Sequence, residues 1–228
     1  VLFRSPLQEY HQELVQRLLD GRIRDKDDLQ RAKIELCRKH CLKRVPPNSE
    51  TLSLLSGAGL RAAEAILQRK PVRTLSGVAV VAVMTSPAPC PHGKCIFCPG
   101  GVDSGSPQSY TGKEPAARRG ASYEFDPYEQ VKGRIEQLEV IGHHAGKVDL
   151  IIMGGTFTSR LPEYQEWFVR RCFDAMNRVD SSSLEEAQLL NETAPYRCIG
   201  MTVETRPDAL TEEQCAASMR LGMTRVEM

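Results

Sequence analysis

The 228-residue chain has no run of about 18 apolar residues, so the sequence predicts no membrane-spanning helix. Its start lacks the basic-then-apolar pattern of a signal peptide. No internal repeat or low-complexity segment is visible, which excludes repeat architectures. Eight cysteines with no export signal predict a reducing, cytoplasmic setting, where clustered cysteines bind metal or do redox chemistry. One further absence is local. The stretch "CPHGKCIFCPGG" (90–101) holds three cysteines, Cys90, Cys95 and Cys98, where a metal site usually wants four ligands.

The chain is 41% hydrophobic and 26% charged, ordinary globular composition with enough apolar residues for one good core and a small appendage. The net charge of +1 hides an asymmetry. Residues 1–75 carry 15 Lys and Arg against 9 Asp and Glu, whereas the rest carries 15 against 20. A basic module joined to a mildly acidic one points to an anionic partner for the first; a solvated helical surface explains the charge as well.

Residues 1–5, "VLFRS", read like a cloning scar, and the chain stops at "TRVEM" inside a strand pattern, so a fragment is expected. Residues 7–44 show helical spacing (Leu14, Leu18, Leu19; then Leu29, Ala32, Leu36, His40). "RVPPNSE" interrupts it, and a further helical run from Ser49 stops near Pro71. The rhythm then changes. "GVAVVAVM" (77–84) is a β-branched run expected to be buried on both faces, and a Gly/Pro-rich loop is expected from Thr85 to about Asp126. A helix with Tyr128, Val131, Ile135 and Leu138 on one face precedes a second strand, "VDLIIMGG" (148–155). Helices over 162–176 and 184–192 lead to a third strand, "CIGMTVE" (198–204). A last helix (211–222) leads to "TRVEM". This alternation predicts an α/β fold of parallel β/α units with functional loops at the C-terminal strand ends.

The three cysteines directly follow the first strand, on that functional side. Thiolates hold iron–sulfur clusters, usually four to a cluster, and a set of three leaves one iron open to a substrate or cofactor. The rival reading is zinc held by Cys90, His92, Cys95 and Cys98. Cys37, Cys41, Cys172, Cys198 and Cys215 sit in helix or strand patterns and read as packing residues. Gly154 and Gly155 end the second strand, where glycine admits close backbone approach to a ligand. Glu204 and Arg206 end the third, and a carboxylate with a guanidinium suits a zwitterionic, sugar-bearing ligand or an exposed ion pair.

"PVRTLSGVAVVAVMTSPAPCPHGKCIFCPGG", "PQSYTGKEP", "KVDLIIMGGTF" and "CIGMTVETRPD", in that order, resemble the Elongator catalytic subunit family in its bacterial or archaeal form. The resemblance is strong over residues 71–228 and weak before them. It implies a radical S-adenosylmethionine (SAM) enzyme, a transferase that uses acetyl-CoA to place a carboxymethyl group on C5 of the wobble uridine of tRNA. It implies a partial, TIM-like radical-SAM barrel (73–228, truncated) after a helical tRNA-binding region (6–72), with the family's acetyltransferase domain absent and this chain inactive alone. Cys90, Cys95 and Cys98 match the ligands of a 4Fe-4S cluster. Gly154, Gly155, Glu204 and Arg206 match SAM contacts, although Thr156 stands where the wider superfamily has Glu. Lys147 matches a lysine associated with acetyl-CoA. Arg38, Lys39, Lys43 and Arg44, with Arg22, Arg24 and Lys26 nearby, are candidates for tRNA phosphate contacts. Tyr110 is expected to stack on a base or pack within its loop, and His143 and His144 to lie at the surface. A homodimer is compatible with this reading. The alternatives are a different radical-SAM enzyme and a zinc-stabilised RNA-binding module.

Overall fold

The computed structural model describes residues 5–228, apart from the side chains at positions 58, 62 and 71. Residues 1–4 of the expected scar lie outside that range; Ser5 is the N-cap of the first helix, in a reciprocal capping box with Gln8. The chain divides into two compact units.

The first unit comprises residues up to Ser76 together with 137–144. Four helices build it: α1 (Pro6–Leu19), α2 (Lys26–Lys39), α3 (Asn48–Leu52) and α4 (Gly57–Leu67). Asp25 starts α2 by accepting from the N–H groups of Asp27 and Asp28. The apolar stripes meet in a core centred on Tyr10, Leu14, Leu36 and Leu67, all fully buried. Each buried leucine contributes about 1.5–3 kcal/mol relative to exposure.

His143 belongs to this unit and corrects the expectation of a surface residue. It is 1% exposed. Its Nε2 lies 2.8 Å from the Arg69 carbonyl, which only accepts, so Nε2 carries a proton. Its Nδ1 faces the Thr74 hydroxyl at 2.7 Å and the Gln68 amide at 3.1 Å. The reason is that a lone His has no periodic signature, whereas three polar partners make its burial tolerable. His144 is exposed, as expected, and pairs with Glu64 at 3.0 Å.

The second unit comprises residues 77–136 and 145–228. Its elements are β1 (Ala79–Met84), α5 (Pro115–Ser122), α6 (Pro127–Val140, whose last residues fall in the first unit), β2 (Lys147–Met153), α7 (Pro162–Asn177), α8 (Leu184–Asn191), β3 (Arg197–Glu204), α9 (Glu212–Arg220) and β4 (Arg225–Glu227). The strands form one sheet in the order β1-β2-β3-β4 with every pair parallel. This is the α/β run of parallel units that the sequence predicts. One sheet face is buried, through Ala79, Val81 and Val83 on β1 and Val148, Leu150 and Ile152 on β2.

Two expectations are corrected here. β1 is not buried on both faces, since Val80 is 45% exposed and Ala82 partly so. A run of small and β-branched residues reports strand propensity, not the number of covered faces. The Gly/Pro-rich stretch after β1 also contains a full helix, α5, started by Pro115 in its first turn. That helix and the next one cover the outer edge of β1. Arg119 donates to the Ala82 carbonyl at 2.6 Å, and the buried Gln130 side chain meets both main-chain groups of Met84. Covering an edge strand in this way blocks pairing with other chains.

Of the cysteines read as packing residues, Cys37 and Cys172 are buried and Cys198 is partly so. Burial pushes the Cys172 thiol well up, and that of Cys198 up to about 11, so both are poor thiolate donors. Cys41 and Cys215 are exposed, contrary to expectation. Cys41 stands at φ 52° in the turn just past α2.

Candidate active site

Parallel pairing places the C-terminal ends of β1, β2 and β3 side by side, so the loops that follow them meet at one edge of the sheet. Cys90, Cys95 and Cys98 lie in the first of these loops, all partly exposed. Each sulfur touches a different neighbour. Cys90 Sγ is 3.3 Å from Thr156 Oγ1, beyond β2. Cys95 Sγ is 3.3 Å from Arg206 Nη1, beyond β3, and 3.1 Å from His92 Nε2. Cys98 Sγ accepts from the Ser109 N–H at 3.0 Å.

Three thiols at one strand-end mouth suit an iron–sulfur cluster in donor chemistry. Among the described residues, no three His, Cys, Asp or Glu side chains stand close enough together to hold a metal ion. That spacing bears on a single ion: the four-ligand zinc set with His92 would require the loop to gather its ligands, and His92 itself is exposed. A 4Fe-4S cluster spreads its thiolates around a larger core.

The two glycines after β2 are required by the backbone. Gly154 has φ 139° and Gly155 φ 87°, both in the region that L side chains avoid. A Cβ on Gly154 would overlap Thr85 Oγ1, and one on Gly155 would come within 3.1 Å of the Gln108 carbonyl oxygen. The Gly154 N–H donates to Glu204 Oε2 at 2.9 Å, and the Gly155 N–H approaches the same oxygen at 3.5 Å. The Tyr110 hydroxyl donates to the other carboxylate oxygen. Burial, then this carboxylate, raise the Tyr110 phenol above its ordinary range. The structure thus joins Gly154, Gly155 and Glu204 in one network.

Arg206 points a different way. Its Nε and Nη2 hold the Asp208 carboxylate in a two-point pair at 2.9 and 3.1 Å, and Nη1 reaches Cys95. The Asp208 bond raises the Arg206 value further, and Arg206 holds the Asp208 carboxyl below the usual range. Beside them opens a cleft of about 750 Å³. Arg206, Asp208, His92, Thr156 and Arg160 are among its lining residues, whereas Gly154, Gly155 and Glu204 are not.

Lys147 is the first residue of β2 and is exposed. The six further residues of the strand separate it from the glycine turn, about 20 Å at 3.3 Å per residue. It is not brought to the same site. Of the basic candidates in the first unit, Arg38, Lys39, Lys43 and Arg44 are all exposed. Lys39 is committed to Glu13 at 2.7 Å. Glu13 also receives Arg17 at 3.0 Å and His40 at 3.2 Å.

Three contacts escape sequence reading: Thr156 to Cys90, Asp208 to Arg206, and Tyr110 to Glu204. The second has a signal in the spacing of "RPD". Thr156 marks a departure from the superfamily pattern, but nothing local says that its hydroxyl meets a thiol. Tyr110 lies 94 positions from Glu204 and is read as a base-stacking or packing residue, whereas its hydroxyl is a carboxylate donor.

Residues 7–75 match the family model described as the ELP3 N-terminal domain. The tRNA uridine(34) acetyltransferase of Methanocaldococcus jannaschii is 54% identical over 94% of this chain and 41% of its own length. Elongator complex protein 3 of Saccharomyces cerevisiae is 40% identical over 84% of this chain and 36% of its own. Among solved structures, the archaeal Methanocaldococcus infernus Elp3 with an N-terminus deletion (1–46) superposes with a TM-score of 0.51 at 46% identity, covering 66% of this chain and 28% of that one. The chain spans about two fifths of the length of the curated relatives it matches. Over the part of them that it spans, this chain is homologous to tRNA uridine(34) acetyltransferases and to Elongator complex protein 3.

Proposed function

We propose that this chain carries the radical-SAM portion of an enzyme that modifies the wobble uridine of tRNA, using acetyl-CoA to build a carboxymethyl group at C5. The observation that carries the reading is the convergence of three cysteines, a glycine turn and the Glu204–Arg206 segment on one end of a parallel sheet, in a chain 54% identical to a tRNA uridine(34) acetyltransferase. Cys90, Cys95 and Cys98 would hold a 4Fe-4S cluster. With SAM, such a cluster supplies one-electron cleavage chemistry.

The chain's own residues then bind and orient. Arg206, whose Nε and Nη2 are taken by Asp208, would offer a ligand carboxylate its Nη1, on the side that faces Cys95. The Gly154–Gly155 turn is partly exposed, packed on Thr85 and Gln108, and would meet the ligand through its main chain. Arg38, Lys43 and Arg44 offer exposed cations for phosphates. Lys147 is the residue named for acetyl-CoA, and its place at the N-terminal end of β2 puts that contact outside the radical site.

The zinc-stabilised RNA-binding module is separated by one preparation. Anaerobically reconstituted protein should be brown and hold iron and sulfide. It should release 5′-deoxyadenosine from SAM on reduction, and lose its iron in Cys90→Ala, Cys95→Ala or Cys98→Ala but not in Cys172→Ala. A colourless protein holding zinc, stripped by His92→Ala, overturns the reading.

A further inference from the structure

Glu204 is expected from sequence to accept from the hydroxyls of a bound ligand, yet its carboxylate is already engaged within the protein. One oxygen takes the Gly154 N–H, with Gly155 near, and the other takes the Tyr110 hydroxyl. The segment that bears Tyr110 is itself tightly placed. The Tyr110 carbonyl presses on Gly100, where no Cβ would fit. Gln108 is buried and fills the space beside Gly101 and Gly155. Ser109 stands at φ 69°, a left-handed conformation rare for a residue with a side chain, and in that conformation gives its N–H to Cys98 Sγ. Strain of this kind persists only where the surroundings over-determine it. The segment 108–110 therefore ties the third cysteine, the glycine turn after β2 and the carboxylate at the end of β3 to one another.

We propose that Tyr110 is a positioning residue that acts through Glu204: its hydroxyl fixes the carboxylate, and the carboxylate fixes the Gly154–Gly155 turn in the shape that receives the ligand. Glu204 is then a support for the turn. The link to a ligand rests on the SAM reading above; the hold on the turn does not.

The test compares wild type, Tyr110→Phe, Glu204→Ala and the double variant, all reconstituted anaerobically. Tyr110→Phe keeps the ring and removes only the donor. Hydrogen exchange without ligand reads the turn directly. The segment carrying Gly154 and Gly155 should exchange several-fold faster in Tyr110→Phe, with α7 unchanged as a control for folding. With SAM as the probe, Kd by equilibrium dialysis should rise about tenfold in each single variant, and the double variant should be no worse than Glu204→Ala alone. Unchanged exchange in Tyr110→Phe overturns the proposal, and so do additive effects on Kd. If wild type binds no SAM, the cofactor reading fails, and the exchange rates alone decide whether Tyr110 holds the turn.

Discussion

Gln130 serves Met84 as a neighbouring strand would: its Oε1 accepts the Met84 N–H at 2.8 Å and its Nε2 donates to the Met84 carbonyl at 2.9 Å. Both groups lie on the free edge of β1, at the residue before the loop that carries the cysteines. Gln130 is fully buried. Replacing it with Ala leaves two buried main-chain groups without partners and should cost about 2–4 kcal/mol. Urea denaturation of Gln130→Ala against wild type measures this. A loss below half a kcal/mol would show that the edge does not depend on the side chain.

Gly154→Ala should be destabilising for two separable reasons, a backbone conformation hostile to a side chain and an overlap with Thr85 Oγ1. Thr85→Ala in the same chain relieves only the second. The double variant should therefore melt between Gly154→Ala and wild type. Full recovery of Tm would mean that the turn can relax its φ.

Glu13 gathers two cations, Lys39 and Arg17, and the His40 ring on the helical unit. The Lys39 hydrogen bond, with those of Arg17 and His40, holds its carboxyl down at about 2 from an ordinary 4.5. A depressed carboxylate contributes stability above its unfolded value and loses it as pH falls from about 4.5 towards 2. Because the side chain is 28% exposed, that contribution is about 1 kcal/mol after allowance for solvent screening. Glu13→Gln should be less stable than wild type at pH 7, with the gap closing below pH 4.5. A gap constant from pH 7 to pH 3 would remove the ion-pair explanation.

The basic residues divide by their partners. Arg38, Lys43 and Arg44 are exposed, whereas Lys39 is bonded to Glu13. Neutralising Arg38, Lys43 and Arg44 together to Gln should weaken tRNA binding and lower the slope of log K against log salt by about 2. Lys39→Gln should act mainly on stability. Binding titrations at several salt concentrations check this, and an unchanged slope in the triple variant would mark these three as ordinary surface charges.

Much of the fold was legible because its signals are local. Val81, Val83, Leu150 and Ile152 stand in short β-branched or aliphatic runs, and Val131, Ile135 and Leu138 recur at helical spacing. The helix α5 was not legible, because Gly and Pro around it are read as loop, whereas Pro115 starts the helix and Gly120 fits where a Cβ would come within 2.8 Å of the Met84 side chain. His143 was missed for the opposite reason: it forms no pattern, and only Thr74, Gln68 and Arg69 make its burial tolerable.

The candidate site divides the same way. The cysteine loop, the glycine pair and the "ETRPD" segment were named from sequence, since each is a short motif whose residue types carry their own chemistry. The sequence by itself determined the donor types, their order along the chain and the strands that present them. Only the tertiary structure decided that Glu204 serves the glycine turn, that Arg206 faces Cys95, and that Thr156 and Tyr110 enter the network. Those pairings join residues 50 to 111 positions apart, and no local rule of spacing or propensity reaches that far; they exist because parallel pairing brings the ends of separate strands together.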